Sequence, residues 1–158
     1  MKSGCLVAAA LVMLTACGSS SPPPQEAPQP APVAKAKPID ESRRFPLADQ
    51  VSIQLVNDKL LGKDFLPGGN VAEYRHQGKS WEQFLLRSSN AEAAALLLFD
   101  FKNHLRDSKY LPHMGGYFGT DGTKPIYIFQ KGAFLAGFAG LPEKDADPLA
   151  RQFAARLN

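Results

Sequence analysis

Residues 71–107 read VAEYRHQGKSWEQFLLRSSNAEAAALLLFDFKNHLRD, and the period of the apolar positions changes partway along. Residues 71–76 and 80–87 are short and rich in aromatic and aliphatic side chains, which predicts two strands. Gln77-Gly78-Lys79 between them is a glycine-bearing hairpin connection. The pattern then becomes helical over about residues 90–107, with Ser89 or Asn90 as N-cap and Glu92 in the first turn. Ala94, Leu97, Leu98, Phe101 and Leu105 fall on one stripe, the expected core face. Leu96 and Phe99 lie nearly opposite that stripe, where an ordinary surface helix carries polar groups. Either the N-terminal part of this chain covers them or a partner does, a second copy included.

Downstream, residues 109–122 read as a loop running into a strand that closes at the turn signal Asp121-Gly122. Residues 125–130 and 133–139 form another expected hairpin around Lys131-Gly132. A last helix follows over about 143–157, with Pro142 at its mouth, Pro148 near its start, and Ala146, Leu149, Ala150, Phe153 and Leu157 on its inner stripe. Upstream, residues 45–66 mix a strand-like piece at 51–53 with a short helical piece at 57–61 ending on Gly62. Pro67-Gly68-Gly69-Asn70 has turn composition. Two strands, a long helix, three strands and a helix predict an α+β fold: a mainly antiparallel sheet with two helices packed on one face, a two-layer sandwich. The helix returning at the chain end makes this resemble half of the TATA-box-binding-protein architecture. That is an analogy of fold and implies nothing about DNA.

The first residues, MKSGCLVAAALVMLTACG, have the form of an exported lipoprotein leader. Lys2 supplies the positive end, and the uncharged stretch 6–14 is about half of the roughly 20 residues a membrane-spanning helix needs. Leu14-Thr15-Ala16-Cys17 resembles the lipobox of bacterial lipoproteins, which implies cleavage before Cys17 and acylation of its thiol. Gly18, rather than Asp, follows; by resemblance to the Gram-negative sorting rule this points to the outer membrane of such a host. The expected partner at this end is membrane lipid. Cys5 leaves with the leader and Cys17 is acylated, so the mature domain keeps no thiol for a disulfide, a metal or nucleophilic catalysis. Residues 18–42 carry seven prolines and few large apolar groups. They read with Cys17 as an extended tether over 17–43, long enough to hold a domain at 44–158 up to roughly 75 Å from the lipid.

Without Lys2 the chain has 17 basic against 15 acidic residues and no basic block, so nucleic acid is not an implied partner. No Gly-x-Ser-x-Gly occurs, and Ser80, Ser88 and Ser89 read as strand-edge and cap residues. Asp100 and His104 share a helix face at the i, i+4 spacing of two metal ligands, but no second pair joins them, and an intrahelical bond is the commoner use of that spacing. Asp64, Glu73 and Asp121 are carboxylates that spacing alone cannot bring together. The stretch 115–122, GGYFGTDG, is glycine-rich without the Lys-Ser/Thr of a phosphate-binding loop. It leaves two readings: a flat ligand held near His113, Tyr117, Phe118 and Asp121, or glycines serving tight backbone with the aromatics in the core. Tyr74, Trp81 and Tyr127 read as core and cross-strand aromatics. No cofactor is implied.

FLPGGNVAEY (65–74), MGGYFGTDG (114–122) and QKGAFLAGFAGLPEKDAD (130–147) resemble an uncharacterised family of exported bacterial domains that share the FLPGGN and GGYFGTDG strings. The resemblance spans about residues 65–157. It implies no activity or catalytic residue; some members carry a preceding, related half, which implies that a single half completes itself with a second copy or another envelope protein. The expected function is that of a membrane-tethered, non-enzymatic interaction or accessory module of the cell envelope. A small-ligand-binding lipoprotein using the glycine-rich aromatic loop is the alternative.

Overall fold

The structure, a computed structural model, describes residues 37–158; the leader, Cys17 and most of the proline-rich stretch lie outside the described residues. Seven strands form one open sheet: β1 (Gln50–Asp58), β2 (Pro67–His76), β3 (Lys79–Arg87), β4 (Arg106–Leu111), β5 (Gly116–Asp121), β6 (Lys124–Lys131) and β7 (Phe134–Ala139). Helix α1 (Ala91–His104) follows β3, and α2 (Glu143–Ala154) follows β7. The spatial order is β1-β2-β3-β7-β6-β5-β4, with every neighbouring pair antiparallel. One meander runs inward from β1. Helix α1 then carries the chain to the far edge, and a second meander returns until β7 meets β3.

The α+β class, the antiparallel sheet and the two helices are as the sequence implies. The expectation of both helices on one face is corrected, and with it the likeness to half of the TATA-box-binding-protein architecture. Successive strand residues point to opposite faces, and the central strands are apolar at both parities. Phe84, Leu86, Ile126 and Ile128 join Leu98 and Phe101 of α1 in one core. Leu85, Tyr127, Phe129 and Phe138 join Ala146, Ala150 and Phe153 of α2 in another. A sheet apolar on both faces needs cover on both, and each helix supplies one side.

Three hairpins close in two residues, since the last pairs are His76–Lys79, Asp121–Lys124 and Lys131–Phe134. At Gln77-Gly78 both residues have positive φ (47° and 78°), the turn whose twist suits a two-residue hairpin. Asn90 caps α1, its Oδ1 accepting from Ala93 N at 2.8 Å.

Three local expectations change. Pro67-Gly68-Gly69-Asn70 is the start of β2 and not a turn. Its glycines serve close approach: a Cβ on Gly69 would lie 2.6 Å from Leu85 O, and one on Gly68 would overlap the β1 backbone. The chain reverses just before, where Lys59, Leu61 and Gly62 take positive φ. Residues 45–66 resolve into β1 and a short 3-10 turn, Leu60–Gly62. Helix α1 ends at His104, and residues 106–111, read as helix end and loop, form edge strand β4. Only Leu111 of β4 is buried, so no alternation marks it in the sequence.

The packed region begins before Arg44. Asn70, 1 % exposed, accepts from Glu41 N (2.8 Å) and donates to Asp40 Oδ1 (2.9 Å), while Glu41 takes Arg44 and Arg87. Phe45 then packs on Phe153 of α2, ring centroids 5.3 Å apart. The asparagine ending FLPGGN thus fixes where the incoming chain crosses the sheet.

Candidate functional site

The four residues of the expected ligand loop do not converge. Tyr117 and Phe118 are successive in β5 and face opposite sides. Tyr117 sits with Tyr110 (5.4 Å) on the α1 face, Phe118 near Tyr127 (6.5 Å) on the α2 face. Asp121 pairs with Lys63 Nζ at 2.5 Å. His113 Nε2 lies 2.5 Å from Asp147 Oδ1, and the same carboxylate accepts from Tyr127 Oη (2.7 Å) and Arg151 Nε (2.9 Å). Burial alone would push Asp147 up, but the hydrogen bonds from Tyr127, His113 and Arg151 outweigh it and hold its pKa at about 2. Tyr127 is pushed up, by burial first and by Asp147 second. This group is a latch joining the β4–β5 turn, β6 and α2.

The other chemical candidates are engaged locally. His104 Nδ1 bonds the backbone oxygen of Asp100 at 2.7 Å, and its ring stacks on Phe65 at 4.2 Å. Asp64 pairs with Lys59 at 2.6 Å. Among the described residues no three His, Cys, Asp or Glu are grouped to hold a metal ion. Leu96 and Phe99 remain 67 % and 56 % exposed on the outer face of α1, with Lys102 Nζ 5.6 Å from the Phe99 ring centroid. The N-terminal part of the described chain crosses the other face and does not cover them.

A concave feature lies on the α2 face. Helix α2 packs on β6 and β7 and the incoming chain crosses near β1, leaving a cleft of about 500 Å³ over β2 and β3. Its sheet side presents Tyr74, Trp81 and Gln83; its far walls are Leu141, Pro148 and Leu149 on one side and Pro46 and Ala48 on the other. Tyr74 and Trp81 are direct cross-strand partners whose rings stack at 5.5 Å and 9°. Tyr74 Oη donates to Pro46 O (2.8 Å), tying the sheet to the incoming segment. At the rim, His76 Nδ1 meets Asp49 at 3.1 Å and Lys79 meets Asp145 at 2.8 Å. The Lys79 ammonium lowers the Asp145 pKa.

Two donors in this wall are unpaired. Trp81 Nε1 and Gln83 Nε2 are closed to solvent and have no hydrogen-bond partner among the described residues. Gln83 is only 2 % exposed. Both belong to residues that line the cleft, and both N–H groups point into packed protein rather than into its open space. Reading Tyr74 and Trp81 as a cross-strand pair is correct as far as it goes. A signal for the cleft is Gln83, a polar residue set between Trp81 and Leu85 on one side of β3.

No family model, no curated protein and no solved structure matches the chain. No helix among the described residues is long and apolar enough to cross a membrane.

Proposed function

We propose that this chain is a lipid-anchored module of the cell envelope that acts by binding, with the α2-face cleft as its ligand site. Acylation at Cys17 and the proline-rich tether place the domain near a membrane surface without embedding it. The observation that carries the binding reading is the cleft of about 500 Å³ itself, with the stacked Tyr74–Trp81 pair on its sheet side and Leu141, Pro148 and Leu149 as its apolar wall. Ligand sites of this size are mostly apolar with a few fixed polar groups, and this cleft has that composition. The site therefore moves from the glycine-rich loop to β2, β3 and α2.

The anchor is tested by expressing the full chain and Cys17→Ser in a bacterial host with labelled palmitate. Label and membrane association are expected for the parent chain, and both are expected to vanish in the variant. Association that survives the substitution would remove the anchor from the proposal.

A second reading, a protein-interaction module, is favoured by exposed Leu96 and Phe99. Light scattering of the Cys17→Ser chain over a concentration series, beside the same chain with Phe99→Asp, checks it. A dimer that the substitution converts to a folded monomer supports a self-association surface on α1. A monomer in both excludes self-association through Phe99.

A further inference from the structure

Strands β1 and β4 are the two edges of the sheet, and the sequence guards them differently. An edge strand leaves the N–H and C=O of every second residue without a ladder partner, and chains blunt such edges with charge, bulges or proline. In β4, Arg106, Asp107 and Lys109 are charged, the register shifts between Arg106 and Lys109, and Asp107 takes a φ of 51°. Strand β1 has nine residues with no proline, and no residue of 50–57 is charged. Its one register shift lies between Gln50 and Ser52, which leaves 52–56 in unbroken register with β2. Val51 and Leu55 are exposed on it, and Leu47 is exposed just before it. A regular, uncharged strand with open backbone groups is a template for a further strand.

How β1 reads against itself identifies that strand. Ile53 packs on the α2-side core and Val56 on the α1-side core. By alternation Leu55 shares the side of Ile53, while Ser52 and Gln54 share the side of Val56. Antiparallel pairing of two copies about Gln54 sets Leu55 opposite Ile53 of the second copy, Val56 opposite Ser52, and Gln54 opposite Gln54. The exposed Leu55 gains an apolar cross-strand neighbour, and no like charges meet. Asp58, the one charged residue of β1, lies beyond this stretch. A two-fold contact of this kind uses up the edge on both copies, so association stops at the dimer.

We infer that β1 is a self-association edge, through which two copies of this chain pair antiparallel about Gln54 and join their sheets into one. The contact uses neither the cleft nor the exposed face of α1 and stands apart from both readings above.

Light scattering of the Cys17→Ser chain over a concentration series is expected to show a dimer. Leu55→Lys, and separately Gln54→Lys, are expected to raise its dissociation constant at least about tenfold, with the parent's circular dichroism retained. Phe99→Asp is expected to leave it unchanged. In the chain with Cys5→Ser and Cys17→Ser, a further Gln54→Cys provides the sole thiol. Mild oxidation with diamide is expected to cross-link that chain as a dimer, whereas Ser108→Cys on β4 in its place stays monomeric. The cross-link decides the matter even where a lysine variant fails to fold. A monomer across the whole series would overturn the inference, as would a dimer that neither lysine loosens. Cross-linking through Ser108→Cys in place of Gln54→Cys would overturn it too.

Discussion

Replacing Phe101 or Phe153 with alanine is expected to destabilise the fold by about 3–5 kcal/mol each, a large share of the roughly 5–15 kcal/mol that holds a domain of this size together. Phe101 is fully buried between Phe84 and Phe65, at 6.1 Å and 5.8 Å, on the α1 face. Phe153 packs between Phe45 and Phe138 on the α2 face, at 5.3 Å and 6.3 Å. They share no ring partner and have the sheet between them. The milder pair Phe101→Leu and Phe153→Leu should therefore add within about 0.5 kcal/mol when combined. Urea unfolding of the two single variants and the double variant measures this. A coupling well above 1 kcal/mol would mean one shared core and both helices on one side.

The second large effect belongs to the latch on α2. A carboxylate whose folded pKa is depressed stabilises the fold above its unfolded value and loses that contribution as pH falls. For Asp147 the ordinary value is 3.8 and the folded value about 2. Its contribution is therefore complete above about pH 4 and gone below about pH 2. Asp147→Asn removes the charge from three hydrogen bonds and leaves the Tyr127 hydroxyl with a weaker partner. It is expected to cost about 1–3 kcal/mol at pH 7. The gap between parent and variant should close between pH 4 and 2, as read by urea unfolding at several pH values. A gap that stays constant to pH 2 would show that the carboxylate is not engaged.

The sequence was most legible where one period was sustained and a single partner was enough. Ala94, Leu98 and Phe101 at helical spacing marked the inner face of α1, and Ala146, Ala150 and Phe153 did the same for α2. The β2–β3 hairpin showed through Gln77-Gly78. What failed was the side of the sheet each helix takes. That depends on which parity of β3, β6 and β7 each helix meets, and runs such as Phe84-Leu85-Leu86 are apolar at both parities. Strand β4 was lost because an edge strand with five exposed residues has no alternation to read. Pro67-Gly68-Gly69 misled because glycine signals both turns and close backbone approach, and here the approach of β1 and β3 decides.

The candidate site was half legible for a related reason. Adjacent aromatics such as Tyr117 and Phe118 look like one cluster in sequence, yet neighbouring residues of a strand are separated by the sheet. Tyr74, Trp81 and Gln83 come together only through the β2–β3 register and the position of α2, neither of which local spacing encodes. Gln83, set between Trp81 and Leu85 on one side of β3, is a signal that the reading of the sequence did not use.

The most direct measurement is a two-dimensional ¹H–¹⁵N spectrum of the Cys17→Ser chain during a titration with 8-anilinonaphthalene-1-sulfonate, a probe that seeks apolar clefts. The single indole N–H of Trp81 and the side-chain amide of Gln83 each give a resolvable signal, and both are expected to shift together and saturate at one concentration. Signals of α1 around Leu96 and Phe99 should stay in place. If the Trp81 and Gln83 signals remain fixed while others move, or if nothing moves, the α2-face cleft is not where this protein binds.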